Sequence, residues 1–338
     1  MRIAVVGTVV CDRIVYTDGR EIHSLGGIHY TVAVAAHLCP PDWEILPICR
    51  IGRDALPAVL DAWGEFPNVR RDGIRPAARP NTRVTLLYRK PTEREEYTTL
   101  PMAPLGTEEL YPALSADVCV INFITGRDVK LAALRFLRES YRGMLYLDIH
   151  SLTLGIAPDG QRYYRYPRRW REYARAADCL QLNEYEAACL AQLRPDERTL
   201  EALRSFAVLL LSNLSGRLRL VNLTLGERGS LMACRGRDGS ITCEHVPGLR
   251  VSVVDPTGCG DTYAIAFLVR YIATGDPLEA AYFANTIAGH KCTLAGSEGL
   301  AELGHAAAAA NASGSRLLQS GSGQEDLLSN LTPPRGVG

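Results

Sequence analysis

The stretch VVDPTGCGDTYAIAFLVRY, residues 253–271, decides how the rest of this chain is read. It opens on apolar β-formers, passes Gly258 and Gly260, reaches Asp261 and runs on as an apolar helix-forming segment. The glycines let the backbone turn tightly and let a ligand approach without a Cβ in the way. At the head of the following helix the first amides lack intrahelical acceptors, and with the helix dipole they form an anion site. A carboxylate at Asp261 is poorly placed to bind that anion and well placed to take a proton from a group attacking it. Taken alone, the segment is equally a glycine turn before a buried helix, with Asp261 as its cap.

Upstream, strand and helix patterns alternate. Residues 2–10 (RIAVVGTVV) read as a buried first strand, 28–38 as a buried helix after Gly26-Gly27, 44–49 as a strand and 55–64 as a helix. The rhythm resumes at 117–123, 131–140, 144–148, 178–183, 184–193 and 220–224, with hairpin-like strands near 230–234 and 241–246. Such alternation predicts a mostly parallel sheet with helices on both faces. Residues 82–99 break the pattern. They are β-branched, aromatic and polar without helical period, so they predict two strands joined near Lys90-Pro91-Thr92, inserted as a lid. A last helix is predicted from Asp276, with Pro277 at its first position and Glu279 three residues after the cap.

Composition narrows the class. The 338 residues allow a large α/β core, and a hydrophobic fraction of 47% with 22% charged is that of an ordinary globular protein. Acidic and basic residues balance at 37 each, so no global field draws in nucleic acid or an anionic membrane, although residues 162–171 hold a local arginine cluster. The opening apolar run is too short for a signal segment and no run reaches membrane-spanning length, which predicts a cytoplasmic protein. Ten cysteines without a C-x-x-C pair read as free thiols. From about Leu303 to Gly338 the chain is rich in Ala, Ser and Gly and reads as a disordered tail beyond a domain of residues 1–302.

The segment D-P-T-G-C-G-D at 255–261 resembles the second signature of the ribokinase-like (PfkB) carbohydrate kinases, D-T-x-G-x-G-D, with Pro256 in place of the usual Thr. Further motifs follow in that family's order. Gly7 precedes Asp12 by five residues, and L-G-G-I-H-Y-T-V-A resembles the first signature G-G-x-x-x-N-x-A at Gly26, Gly27 and Ala33, with Thr31 where Asn is usual. Q-L-N-E-Y-E matches N-x-x-E at Asn183 and Glu186, and T-L-G-E-R-G supplies Thr224, Gly226 and Gly229. The chain has neither a P-loop G-x-x-x-x-G-K-[ST] nor a dinucleotide G-x-G-x-x-G after its first strand.

The resemblance implies a three-layer α/β/α fold with a small β lid, from strands at about 12–24 and 82–99. It implies transfer of the γ-phosphoryl group of ATP to a sugar-like hydroxyl, with Asp261 as base and the Gly258–Cys259–Gly260 amides as anion hole. Asp12, Gly26, Gly27, Thr31 and Asn122 would hold the acceptor. Asn183 and Glu186 would handle Mg²⁺ and phosphates through water. Thr224, Gly226, Gly229 and Asn285 would border the nucleotide. The family often holds a monovalent cation such as K⁺ beside this signature, which places Asp255 and the loop 293–299 near it, and often forms homodimers through the lid. Asp148 and His150, at the end of the strand 144–148, face the same side without a counterpart in these motifs. Two other readings fit the same residues: a nucleoside acceptor, and a non-catalytic sugar- or nucleotide-binding regulator.

Overall fold

The computed structural model describes residues 1–90, 93–214, 216–297 and 299–317. The first strand, β1 (Arg2–Val6), is buried on both sides: Ile3 and Val5 enter one core, Ala4 and Val6 the other. A strand buried on both faces reads as an unbroken apolar run, which suits the centre of a parallel sheet. After it come β2 (Val9–Val15), β3 (Glu21–Gly27), α1 (Ile28–Leu38), β4 (Glu44–Gly52), α2 (Leu56–Gly64), β5 (Ile74–Ala77), β6 (Arg83–Lys90) and β7 (Glu93–Thr99). The middle third holds β8 (Val118–Asn122), α3 (Leu131–Ser140), β9 (Met144–Asp148), the short hairpin β10 (Leu154–Ile156) and β11 (Arg162–Tyr164), α4 (Trp170–Ala174), β12 (Cys179–Asn183) and α5 (Glu184–Ala191). The last third holds α6 (Leu200–Asn213), β13 (Leu220–Thr224), β14 (Ser230–Arg235), β15 (Ile241–Val246), α7 (Cys259–Thr274), α8 (Pro277–Cys292) and α9 (Glu302–Leu317).

The central sheet has nine strands in the order β15-β14-β13-β12-β9-β8-β1-β4-β5. Every pairing from β13 to β5 is parallel, and β14 and β15 close one edge antiparallel. Residues of α1, α2, α7, α8 and α9 pack on one face, and those of α3 to α6 on the other. This is the expected three-layer sandwich. The chain builds outward from β1 through β4 to β5, then crosses to β8 and builds the other way. The crevice beyond the C-terminal ends of β1 and β8 is therefore the switch point, where open α/β sheets bind ligands.

The lid is a separate sheet, β3-β2-β6-β7. The expected first strand 2–10 thus divides: β1 stays in the main sheet, and the chain after Gly7 and Thr8 leaves it as β2. The turn expected at Pro91-Thr92 lies outside the described residues. Register decides which lid residues look inward. Asp12 pairs with Val84 and Val84 with Thr98, while Ile14 pairs with Leu86 and Leu86 with Glu96. Paired residues share a face, as do residues two apart along a strand. Asp12, Ile14, Val84, Leu86, Thr98 and Glu96 therefore form one surface, and all but Glu96 are buried.

Two expectations need correction. The segment from Leu303 does not begin a disordered tail: α9 runs to Leu317, and Leu303, Ala306 and Ala310 join the core. Its alanines, read as low complexity, are strong helix formers whose small side chains fit closely against a neighbour. Residues 318–338 lie outside the described residues. The hairpin β10–β11 and helix α6 were not anticipated either; Thr199 caps α6 by accepting from the Ala202 amide.

Candidate active site

Asp261 sits in the first turn of α7, whose N-cap is Gly258 at φ 79°. A side chain at 258 is doubly excluded, by that left-handed backbone and by the Tyr30 ring 2.7 Å from where a Cβ would lie. Among the described residues, the amides of Gly258 and Gly260 have no backbone acceptor, whereas that of Cys259 donates to Pro256 O at 3.2 Å. The expected three-amide hole is thus narrowed to two, because the turn itself takes the middle amide. Cys259 instead turns its Sγ to within 2.8 Å of Cys292 Sγ.

Two donors hold the carboxylate of Asp261. Asn122, the last residue of β8, donates its Nδ2 to Oδ1 at 2.9 Å, and the Thr31 hydroxyl donates to the same oxygen. Thr31 and Asn122, both expected at the acceptor, each donate to Asp261 in the structure. The shorter Thr side chain on α1 ends at the carboxylate. Among the described residues, no side chain donates to Oδ2. Burial pushes the Asp261 pKa up to about 6, against the pull of the Thr31 and Asn122 hydrogen bonds and the charge of Lys291.

Behind Asp261 lies a second carboxylate, Asp148, at the end of β9. It accepts from the His150 amide at 3.2 Å and from Gln181 Nε2 at 3.1 Å, and Gln181 also donates to Gly260 O at 3.0 Å. Burial and the neighbouring charge of Asp261 both raise its pKa. Beside it, Glu186 is raised by burial and by Asp148. Asn183 and Glu186 form a capping box: Asn183 Oδ1 accepts from the Tyr185 and Glu186 amides, and Glu186 accepts from the Asn183 amide at 2.8 Å and its Nδ2 at 2.7 Å.

These carboxylates have too few cationic neighbours, which suits a divalent cation. Among the described residues, no three His, Cys, Asp or Glu side chains converge closely enough to cage one. Mg²⁺ would fit there as a hydrated ion, with Glu186 and Asp148 able to hold its water. A monovalent cation beside Asp255 does not fit. The Asp255 carboxylate is spent on the Thr257 and Gly296 amides, each at 2.9 Å. The fully buried Lys291 puts its ammonium 3.4 Å from both Asp255 O and Leu294 O. A built-in cation thus takes the carbonyls that K⁺ would need.

On the acceptor side, Asp12 faces inward from the lid against Gly26, where a Cβ would come within 1.8 Å of its Oδ2. Gly27, at φ 61°, presses on Thr8 O. Burial, then the charge of Glu96, pushes Asp12 up to about 7, and Arg94 opposes them. The lid comes down on the second-signature loop: Tyr16 and Tyr88 face Asp255 and Pro256 across a cavity of about 170 Å³. A larger cavity of about 520 Å³ lies away from the carboxylates, between Arg127, Lys130 and Arg168.

On the nucleotide side, Thr224 ends β13 and Gly226 and Gly229 form its tight turn, at φ 61° and 88°. Asn285 does not border an open cleft. Its amide donates to Ser230 Oγ, Val246 O and Pro247 O, tying α8 to the sheet edge. Sequence reading missed Gln181, Tyr30, Lys291, Glu96 and Arg162. Of these, Tyr30, a large aromatic between the two glycines and Thr31, and Gln181, which opens Q-L-N-E-Y-E, stood in motifs.

The profile of pfkB family carbohydrate kinases matches residues 2–303. Among solved structures, a ribokinase from Thermotoga maritima is 19% identical, with 91% of this chain and 99% of that chain covered at a TM-score of 0.70. A nucleoside kinase from Burkholderia thailandensis in complex with inosine is 19% identical over 89% and 92%, TM-score 0.65. A pyrophosphate-dependent kinase in the ribokinase family, complexed with a pyrophosphate analog and myo-inositol, is 18% identical over 88% and 96%, TM-score 0.68. The structural likenesses show the fold; the profile match, across nearly the whole chain, shows that the protein belongs to the pfkB family of carbohydrate kinases, phosphotransferases with an alcohol acceptor.

Proposed function

We propose that the protein moves the γ-phosphoryl group of ATP onto a hydroxyl of a small sugar-like acceptor, with Asp261 as general base. One observation carries this reading. Asn122 and Thr31 pin Asp261 by one oxygen, leaving the other clear beside the free Gly258 and Gly260 amides. A Cβ at Gly260 would meet nothing nearer than Gln181 Nε2 at 3.8 Å, so the protein alone does not demand glycine there; a closely approaching phosphate does.

In the reaction, the acceptor oxygen bonds to the γ-phosphorus as its proton passes to Asp261 Oδ2. The bond from that phosphorus to the β–γ bridging oxygen breaks, and ADP leaves. The two glycine amides meet the charge on the transferring group, aided by the α7 dipole. Mg²⁺, when bound, supplies charge neutralisation at the β- and γ-phosphates. Asp12 accepts hydrogen bonds from acceptor hydroxyls, and Gly26 and Gly27 let the acceptor lie against bare backbone. Thr224, Gly226 and Gly229 lie along the nucleotide. The lid excludes water from the transfer.

The test is donor consumption with a mixed library of sugars, sugar acids, polyols and nucleosides, run with ATP and with pyrophosphate. Acceptor-dependent ADP release that Asp261→Asn abolishes supports the reading. Turnover with pyrophosphate alone overturns the donor assignment, and turnover unaffected by Asp261→Asn overturns the base.

A further inference from the structure

Arg162 lies under the lid. Its Nη1 donates to Thr98 Oγ1 at 3.3 Å and to Thr125 O at 3.4 Å. Thr98 shares the inward face of the lid with Asp12 and Glu96. Thr125 belongs to the loop after β8, whose Ile124 side chain comes within 3.1 Å of a Cβ placed at Gly27. The guanidinium is therefore anchored on one nitrogen at the wall of the acceptor site. His150 and Glu96 lie within its electrostatic reach.

The remaining nitrogens, Nε and Nη2, are buried and have no hydrogen-bond partner among the described residues. These two form the side-on edge of the guanidinium, whose parallel N–H bonds match the two oxygens of a carboxylate. Arg13 uses the same edge in this protein, holding Glu21 Oε1 at 2.8 Å and Oε2 at 2.7 Å. Among the described residues no carboxylate does so for Arg162. Asp128 is taken by Thr8 and Thr125. Glu96 makes no ion pair with it. A buried guanidinium edge without an acceptor is costly, so its position needs a partner that arrives from outside.

We propose that the acceptor is a sugar acid whose carboxylate binds side-on to Arg162 while Asp12 takes its hydroxyls; this inference rests on the acceptor site described under the proposed function. A single negative charge suits the pocket better than a phosphate dianion, because Glu96 and Asp12 already face Arg94 and Arg162 there.

Full-length wild type, Arg162→Gln and Arg162→Lys are compared on aldonic, 2-keto-aldonic and uronic acids, their neutral parent sugars, sugar phosphates and nucleosides. At least about tenfold higher kcat/KM for an acid than for its neutral parent is expected in wild type, as for a charged hydrogen bond. Arg162→Gln should remove that preference, lowering kcat/KM for the acid about tenfold to a hundredfold through KM. Arg162→Lys keeps the charge, loses the edge and should fall between. An unchanged melting temperature shows that the variants fold. Preference for a neutral sugar, a nucleoside or a sugar phosphate overturns the proposal, as does an acid preference indifferent to Arg162. Phosphorylation of neutral sugars alone leaves the kinase reading standing. If nothing is phosphorylated, the kinase reading fails, and calorimetry with the acids decides this one separately. Acid binding lost in Arg162→Gln supports it, and no acid binding overturns it.

Discussion

The two ends of the crevice are built in different ways. The phosphoryl end comes from one contiguous loop and helix, Asp255 to Asp261, buttressed by single residues from β8 and α1. The acceptor end comes from four separate strands and a hairpin, and its inward residues are selected by register. On the proposed reading the first, largely main chain, would serve any acceptor, and the second, built of side chains, would set specificity.

The largest expected effect breaks that division at the phosphoryl end. Asp261→Asn should lower kcat by about a hundredfold or more with donor affinity little changed, as for loss of a general base; steady-state kinetics at saturating acceptor, with donor titration, measures it. Near wild-type turnover removes the assigned role. At the acceptor end Asp12→Ala should act the other way, lowering kcat/KM about tenfold to a hundredfold chiefly through acceptor KM. A donor KM that moved equally would show that the two ends are not separable.

A smaller effect lies in pH. As the proposed base Asp261 would have to be ionised, and burial holds its pKa up at about 6, so activity should fall as pH drops through about 6 and level off above it. Thr31→Val removes a hydrogen bond that favours the ionised form, so the midpoint should move up. A kcat profile whose midpoint stays in place or moves down contradicts the contact. The smallest effect concerns cations. Exchanging K⁺ for Na⁺ should alter wild-type kcat by no more than about twofold, because the Lys291 ammonium holds the Asp255 and Leu294 carbonyls. Lys291→Met should make turnover depend on K⁺, and a wild type that already requires K⁺ would show that the ammonium is no substitute.

The same contrast explains what could be read in advance. Alternation of apolar runs with helical periods placed α1, α3, β9 and β13 at their observed limits, because each is set by local pattern. The Gly258–Asp261 turn was legible because its chemistry is consecutive in the chain. Glu96 was not legible, since nothing local distinguishes a lid residue facing Asp12 from its outward neighbour, and the contacts of Arg162 with Thr98 and Thr125 and of Gln181 with Asp148 and Gly260 join residues far apart in the chain. A one-residue slip in β7 would exchange Glu96 for Glu95 or Tyr97. Thr31 was placed in a motif, but its hydrogen bond to Asp261 was not foreseen. Side-chain reach, which a pattern does not encode, put its hydroxyl on Asp261.

Helix α9 continues past residue 303, where the family profile stops, and buries Leu303, Ala306 and Ala310 against the core. A shortened version cut at that border would strip the covering from an oily strip of α1, the same helix that steers the Asp261 carboxylate by way of Thr31. Trimming the chain for convenience would thus disturb the reacting centre from its far side.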